Sequence, residues 1–466
     1  MSVLLQQRAV MAERQRDAIA VERESYRIRL VKIVCGLLLG VCFWYSVPYT
    51  MGFNVNPDPV QAAQHEAQAY EGNLSRQIAL PIVTLIAIYM LWRLPKRGRF
   101  GGKLMLLPIL YIGWALVSFL WSEDPVVTQK RLVVFAMNAF FAWVLARVFS
   151  VVEMALLGFV ATGTVALISL YSDTIYRHTF APLDPDYRFT GVMTANYQAM
   201  SLLVCIVCAA TLAQRKPKWM VWIVPSIGTA LVLMYLTRAR LSALLCLVVG
   251  SVLVMKMARE RIHAQARAMV LVAGLMVGVP VFIFLAGRSG AGAAQSAFMM
   301  GRTDTENTSN LSNRAPLWSE LMESVRTRPW LGFGYEAFWT AARVERVSTD
   351  QGWVVPNAHD TYLDQMLSLG AVGAVLYAGM LWGAIFVAWR RYFRDRSEAS
   401  LMPALLLTWL ALTGVAESAP LDPYLPTILA YTCIAKMCMV EGSESESDRF
   451  QGKDKIIGGV QLAAAG

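Results

Sequence analysis

Charged residues are scarce in this chain, and their scarcity excludes an ordinary soluble domain. Only 16% of the 466 residues are Asp, Glu, Lys or Arg, whereas 56% are hydrophobic. Soluble globular proteins carry about 25% charged residues. The apolar residues also fall in runs that are long enough to cross a bilayer. The composition therefore predicts a polytopic membrane protein.

Signals for metal or redox chemistry are also sparse. Cys205 and Cys208 have the spacing of a metal or redox pair, but they stand among Leu, Val and Ile without a second pair. We interpret them as packing residues. Asp184 and Asp186 have the spacing of a DxD motif, yet the proline between them favours a turn. The sequence shows no internal repeat and no second soluble domain, and it predicts neither a metal site nor a cofactor.

Hydropathy averaged over about 19 residues predicts an all-α polytopic membrane protein with about twelve transmembrane helices. The first 29 residues are polar and arginine-rich without a small-residue cleavage site, which favours an uncleaved anchor over a signal peptide. The stretch 131–171 could be one broken helix instead of two. The spans centre on residues 30–50, 78–94, 104–121, 131–147, 150–171, 194–213, 219–236, 241–257, 269–286, 367–389, 401–416 and 423–440.

Basic residues in the short loops predict the orientation of these spans. With twelve spans, four loops rich in Lys and Arg lie on one side, and both termini are then cytoplasmic. Most of the net charge of +10 is this orientation signal, so we expect no nucleic-acid partner. The predicted organisation is a cytoplasmic segment 1–29, helices one to nine in 30–286, a long outer loop 287–366, helices ten to twelve in 367–440 and a disordered cytoplasmic tail 441–466.

Two arginines stand between apolar runs at the predicted outer face. An arginine near the middle of a bilayer costs roughly 2.5–3.5 kcal/mol on insertion scales, so Arg238 and Arg240 invite a functional explanation. No acid lies between Met234 and Met257, and the charge of Arg240 therefore needs an external anion or a remote carboxylate. The planar fork of arginine fits two phosphate oxygens.

The outer loop 287–366 is too long to be only a connector. Within it, Asn313 can cap a helix with apolar residues at 317, 321 and 325, and this helix would lie along the membrane surface. The loop closes just before the next helix, which places His359 near a helix N-terminus. A histidine there tends to remain neutral and able to accept a proton, as a general base must. A cap or a backbone hydrogen bond is an equally good interpretation of His359.

The region 121–420 contains several short segments that together have a distinctive order, spacing and common predicted side of the membrane. They are Trp121-Ser-Glu-Asp-Pro125, Arg188-Phe-Thr-Gly191 followed by Asn196, Arg240-Leu-Ser-Ala-Leu-Leu, Asn313-Arg314-Ala-Pro-Leu-Trp318, Pro329-Trp-Leu-Gly-Phe-Gly334, Asn357-Ala-His359-Asp-Thr-Tyr-Leu363, Leu369-Gly-Ala-Val-Gly373 and Glu417-Ser418. Together they resemble the O-antigen ligase and O-antigen polymerase superfamily. Two residues depart from its pattern: Asp360 stands where asparagine is usual, and Ala239 where serine often precedes the arginine. Asp360 is also a candidate helix N-cap.

The resemblance implies glycan transfer at the periplasmic face of a Gram-negative inner membrane, with loop 287–366 as a periplasmic loop containing surface helices. As an O-antigen ligase, the chain would take its glycan from undecaprenyl diphosphate and pass it to lipid A-core. We expect metal-independent transfer with inversion, in which His359 deprotonates the acceptor while Arg240 and Arg314 hold the diphosphate. The further candidates for substrate binding are Arg188, Arg238, Asn196, Glu417, Asn357 and Tyr362.

Two other functions remain open. A polymerase that joins polyprenyl diphosphate-linked repeats of O-antigen or exopolysaccharide would carry much the same residues. A multi-span transporter, which belongs to a different class, would also explain many spans and buried arginines. The unusual polar residues gather at one face and in one long loop without evident halves, which favours an enzyme over a transporter.

Overall fold

A computed structural model describes residues 74–96, 98–184, 187–215, 217–261, 314–418 and 424–440, together with a few helical residues between 26 and 38. The predicted segment 1–29 and span 30–50 lie largely outside these residues. The span 269–286, the loop start 287–313 with its proposed cap Asn313, and the tail 441–466 lie wholly outside them.

The described chain is almost entirely helical. Three 3₁₀ turns (Lys103–Met105, Ser118–Trp121 and Pro217–Trp219) and one π turn (Ser172–Tyr176) adjoin the helices. Strands β1 (Arg99–Phe100) and β2 (Met439–Val440) form one short antiparallel pair. The helices are α1 (Leu74–Arg93), α2 (Leu106–Val117), α3 (Pro125–Val148), α4 (Val151–Tyr171), α5 (Ala195–Arg215), α6 (Met220–Thr237), α7 (Arg240–Arg261), α8 (Arg314–Thr327), α9 (Ala341–Gln351), α10 (Thr361–Asp395), α11 (Glu398–Thr413) and α12 (Leu425–Met437).

The structure confirms an all-α membrane protein but not the full number of spans. Among the described residues, six helical segments are long and apolar enough to cross a membrane: Lys103–Trp121, Pro125–Val148, Val151–Tyr176, Ala195–Arg215, Met220–Thr237 and Thr361–Asp395. Parts of α1, α11 and α12 are apolar but shorter, and α7 occupies the predicted span 241–257. Twelve spans and the periplasmic position of the long loop remain predictions.

The stretch 131–171 forms two helices, which resolves the alternative of one broken helix. Phe149 and Ser150 have extended backbone between α3 and α4. The Ser150 hydroxyl accepts the backbone N–H of Glu153, and the Glu153 carboxylate accepts the backbone N–H of Ser150. This capping box satisfies two N–H groups that would otherwise lack partners at a helix start.

Helix α5 lies at the centre of the bundle. Nearly all of its side chains are buried, against α4, α6, α7 and α11. Its polar Thr211 donates to the Val207 carbonyl one turn earlier, so the hydroxyl is satisfied within the helix. Cys205 and Cys208 are free and buried in this core, and their interpretation as packing residues is confirmed.

The described part of the long loop packs as a small layer on one end of the bundle. Helix α8 buries Leu317, Leu321 and Val325, the three apolar positions of the sequence pattern. They form a cluster with Phe338 and Val347 from the segment that leads into and through α9. The predicted amphipathic helix therefore exists, and it ends at Thr327.

A break in α10 joins this layer to the bundle. Gly370 has φ 67° and ψ −172° inside the helix, a backbone conformation that side chains other than glycine rarely adopt. A Cβ there would lie 2.2 Å from the Trp330 backbone. The carbonyls of Leu367 and Ser368, freed at the break, accept the N–H groups of Phe333 and Gly334 at 2.8 and 2.9 Å. The loop therefore satisfies the backbone groups that the break exposes.

Candidate active site

His359 is held in a left-handed turn immediately before α10. Its φ is 50°, and its backbone N–H donates to Oδ1 of Asn357 at 3.0 Å. The carbonyl of the preceding residue accepts Nε1 of Trp318, which lies on α8, at 2.8 Å. Asp360 then caps α10 by accepting the N–H of Leu363 at 2.8 Å. The cap predicted for Asp360 is confirmed, and burial raises the pKa of this carboxyl.

Glu417 connects the segments that carry the predicted site residues. It follows α11 and is only 8% exposed. Its Oε1 accepts Nδ2 of Asn196 at 2.8 Å and lies 3.0 Å from Nη2 of Arg314. Its Oε2 lies 3.6 Å from Nδ1 of His359. The Glu417 carboxylate therefore contacts side chains that lie at the starts of α5, α8 and α10.

The electrostatic setting keeps Glu417 ionised at neutral pH. Burial by itself would raise the pKa of this carboxyl. The interactions with His359 and Arg314 outweigh burial, so the pKa of Glu417 lies below its ordinary value of 4.5. Arg314 also donates from Nη1 to the Ala416 carbonyl, which fixes the guanidinium beside the carboxylate.

The imidazole of His359 lies between this carboxylate and an aromatic ring. The Trp353 ring is 5.2 Å away between centroids, at an angle of 39°. Neither nitrogen of the imidazole makes a hydrogen bond within the described part of the chain, although both are buried. The 3.6 Å contact to Glu417 is an ion-pair distance rather than a hydrogen bond. Buried polar atoms are normally bonded, so the two unbonded nitrogens mark His359 as a candidate functional residue.

A second group of predicted residues lies around the end of α6. Arg238 caps that helix with φ 53°, and its Nη2 donates to the Asp184 carbonyl at 2.9 Å. Arg188 donates from Nε to the Thr237 carbonyl at 3.2 Å, and Arg240 begins α7. These three cationic side chains therefore surround one turn between α6 and α7.

The loop before α5 links the two groups. Its Phe189 N–H donates to the Leu236 carbonyl at 2.8 Å, beside the arginine turn. Asn196, at the start of α5, contacts Glu417. The arginines and the His359 group therefore lie at the same end of the bundle.

The predicted site residues differ in the contacts that they make in the structure. Asn196, Arg314, Asn357, His359 and Glu417 come together, and Glu417 contacts three of the other four directly or as an ion pair. Tyr362 instead donates to the Ala411 carbonyl at 3.1 Å and packs α10 against α11.

Sequence reasoning missed Asp364, which lies buried one turn after Asp360. An acid at the start of an apolar span was the signal available for it, since ionisable residues in such spans are expensive.

The described residues contain no group of three or more His, Cys, Asp or Glu arranged to hold a metal ion. The arginines described above have a planar guanidinium group of the kind that binds carboxylate and phosphate oxygens.

Comparison with known proteins identifies the central part of the chain. Residues 225–378 match the family model described as O-Antigen ligase. This region is similar to the O-antigen ligase family. The match includes Arg238, Arg240, Arg314 and His359, whereas Asn196 and Glu417 lie outside it. The predicted resemblance to the O-antigen ligase and polymerase superfamily is therefore confirmed.

A similarity to one curated protein extends over more of the chain. The exopolysaccharide production protein ExoQ of Rhizobium meliloti (strain 1021) is 21% identical over 365 residues, which cover 73% of this chain and 80% of ExoQ. Together the two comparisons support a similarity to membrane glycosyltransferase-like proteins of the O-antigen ligase and polymerase group.

Proposed function

We propose that this protein transfers a glycan from a polyprenyl diphosphate-linked donor to an acceptor hydroxyl at the periplasmic face of the inner membrane. The observation that carries the proposal is the His359 imidazole, with the ionised Glu417 3.6 Å from Nδ1 and a buried Nε2 that has no hydrogen bond among the described residues. A carboxylate beside one nitrogen of an imidazole orients the ring and stabilises the cation that forms when the other nitrogen takes a proton.

The transfer is a single displacement at the anomeric carbon. The acceptor hydroxyl gives its proton to Nε2 of His359 as its oxygen forms the new bond to that carbon. The bond from the anomeric carbon to the diphosphate oxygen breaks, and its electron pair leaves with the diphosphate. Attack opposite the leaving group inverts the configuration. The guanidinium groups stabilise the new negative charge on the diphosphate, and the Glu417 carboxylate stabilises the imidazolium.

The arginines have two different roles in this proposal, positioning of Glu417 and binding of the diphosphate. Arg314 uses Nη1 and Nη2 for Ala416 and Glu417, so its first contribution is to position the carboxylate. Arg240, supported by Arg188 and Arg238, is the principal clamp for the diphosphate. Fixed guanidinium groups stabilise charge developing on phosphate oxygens without reorganising during the reaction. This division supports metal-independent transfer.

A cavity beside the site supports a lipid-linked substrate. It has a volume of about 1160 Å³, lies between α1, α2, α3 and α12, and is lined mainly by apolar residues such as Pro81, Ile109, Val133 and Ile434. Pockets for small ligands have volumes of about 300–1,000 Å³. At one end the cavity reaches Asn357, two residues before His359. An apolar chain of a lipid-linked glycan would fit this space.

Two acceptors are compatible with the comparisons. The family model that matches the central region favours a ligase, with lipid A-core as the acceptor. The likeness to ExoQ favours a polymerase, in which the acceptor is another polyprenyl-linked repeat of an exopolysaccharide. We propose the ligase first because the matching family model is described as O-Antigen ligase, whereas the identity with ExoQ is only 21%.

Purified protein in lipid nanodiscs, polyprenyl diphosphate-linked glycan and lipid A-core together test these functions. Ligation gives a ladder of products on lipid A, whereas polymerisation lengthens the donor-linked chain. Movement of intact donor across sealed vesicles, with no new glycosidic bond, would instead indicate a transporter and contradict the proposal.

A further inference from the structure

Asp364 is a buried carboxylate that bonds to three separate segments of the chain. It lies in the first turn of α10 and is 4% exposed. Its Oδ1 accepts Nε1 of Trp339 at 2.7 Å, and its two oxygens lie 3.2 and 3.3 Å from the backbone N–H donor of Ala358. Its Oδ2 also accepts the Ser418 hydroxyl. These bonds compensate for the burial of the carboxylate.

Two of these bonds end next to the proposed catalytic pair. Ala358 immediately precedes His359, and Ser418 immediately follows Glu417. Asp364 therefore contacts the backbone beside the base and the side chain beside its carboxylate partner. The third bond, to Trp339, leads away from the pair into the segment that precedes α9.

The backbone of His359 makes such support necessary. Its φ of 50° is a conformation that costs energy for any residue with a Cβ. A residue persists in such a conformation only when its surroundings determine it, and these conformations gather at functional sites. The Ala358 N–H bound by Asp364 is one of the few anchors immediately before this turn.

We propose that Asp364 is a positioning residue that sets the separation between His359 and Glu417. It acts through Ala358 on one side and through Ser418 on the other. This inference rests on the proposed function, because the pair matters only if His359 is the base. It adds a residue for which composition and motif spacing gave no role.

Two matched substitutions separate positioning from general stability. Ser418→Ala and Trp339→Phe each remove one hydrogen bond to the same carboxylate, but only the Ser418 bond leads to the catalytic pair. In the nanodisc assay we expect Ser418→Ala to lower kcat about tenfold or more with KM nearly unchanged, because small misplacements of reacting groups are costly. Trp339 also lines the proposed substrate cavity, but Phe keeps an apolar aromatic ring there, so Trp339→Phe should keep kcat within about threefold of wild type.

Substitutions of Asp364 itself provide a rescue test. Asn keeps one acceptor oxygen for Trp339 and Ala358 and can donate to the Ser418 hydroxyl, whereas Ala keeps none of these bonds. Asp364→Ala should lower kcat about 100-fold, and Asp364→Asn should recover at least about tenfold of that loss. If Asp364→Ala does not fold, the Ser418 and Trp339 pair decides the question.

A chemical readout tests the positioning without any glycan. Diethyl pyrocarbonate modifies histidine, and the exposed His178 serves as an internal standard in each sample. The wild-type His359 side chain is 20% exposed. Ser418→Ala should loosen this turn and raise the modification rate of His359 relative to His178, whereas Trp339→Phe should leave the ratio unchanged.

Equal kcat values and equal modification ratios in the Ser418 and Trp339 variants would overturn the proposed role of Asp364. A wild-type protein that transfers no glycan to either acceptor would instead refute the proposed function. The modification ratios remain informative in that case, so the two failures are distinguishable.

Discussion

Replacing Glu417 by Gln would remove one negative charge from the site while keeping the size of the side chain. The amide oxygen can still accept from Asn196, but Arg314 would then lie beside a neutral group, and His359 would lose the nearby anion. Because Glu417 is only 8% exposed, water cannot readily compensate for the loss of its negative charge. The substitution therefore tests the charge of Glu417 rather than its shape.

The effect on turnover follows from the geometry of the pair. In hydrolases where a carboxylate is hydrogen-bonded to a histidine base, the amide variant loses about 10⁴ in kcat. Here the two atoms are 3.6 Å apart, which is an ion-pair distance, so the orienting effect is weaker. A general base contributes about 10²–10⁴ in total. We therefore expect Glu417→Gln to lower kcat by about 10²–10³ and to change the KM for donor little.

The same variant should be less stable, in a manner that depends on pH. Breaking a buried ion pair by removing one partner costs about 3–5 kcal/mol, and we expect about 3 kcal/mol because Arg314 is partly exposed. The folded pKa of Glu417 lies below its ordinary value of 4.5. Its stabilising contribution is therefore present above pH 4.5 and is lost as the pH falls through the folded pKa. The difference in thermal midpoint between wild type and variant should be full at pH 7 and should narrow below pH 4.5.

The assay is transfer under single-turnover and steady-state conditions, combined with thermal unfolding in detergent. Glu123→Gln is a suitable control, because Glu123 also pairs with an arginine, Arg343, at 2.8 Å. This control should retain kcat within about threefold, since its ion pair lies outside the proposed site. A Glu417→Gln variant with wild-type kcat would refute the carboxylate's role in orienting the base.

Three further predictions concern single positions. His359→Ala should lower kcat by about 10²–10⁴, whereas His178→Ala, in an exposed loop, should not; equal rates of transfer would exclude His359 as the base. Arg240→Lys keeps the charge but loses the planar fork, so donor KM should rise about tenfold in titrations of donor, and an unchanged donor KM and kcat would contradict the clamp. Gly370→Ala should reduce stability by at least about 1–3 kcal/mol, because φ is 67° there and the new Cβ meets Trp330. Gly228→Ala has open space in α6 and should not reduce stability in the same unfolding measurement, because alanine favours the helix over glycine.

Much of the fold could be predicted from the sequence, because the cost of placing polar groups in a bilayer leaves a strong local signal. Apolar runs predicted α3, α4, α5 and α6 close to their observed bounds. The break in α10 could not be predicted in the same way. In the sequence, Gly370 is only a small residue within an apolar run. The close approach of the loop at Trp330, which favours glycine there, is visible only in the structure.

The candidate site was predicted residue by residue but not as an arrangement. The sequence by itself determined that His359 would stand before a helix, that Arg240 would begin one and that Arg314 would lie in the long loop. Local chemistry is enough for such statements, since caps and helix ends depend on neighbours in sequence.

Only the tertiary structure decided which polar and charged side chains contact the Glu417 carboxylate. Asn196, Arg314 and Glu417 are separated by about a hundred residues or more along the chain, yet one carboxylate contacts both of the others. The family resemblance led us to assign Arg314 to the diphosphate, and sequence reasoning gave Asp364 no role. Electrostatic interactions depend on distance and burial in space, and helix packing sets both for residues that the chain keeps far apart.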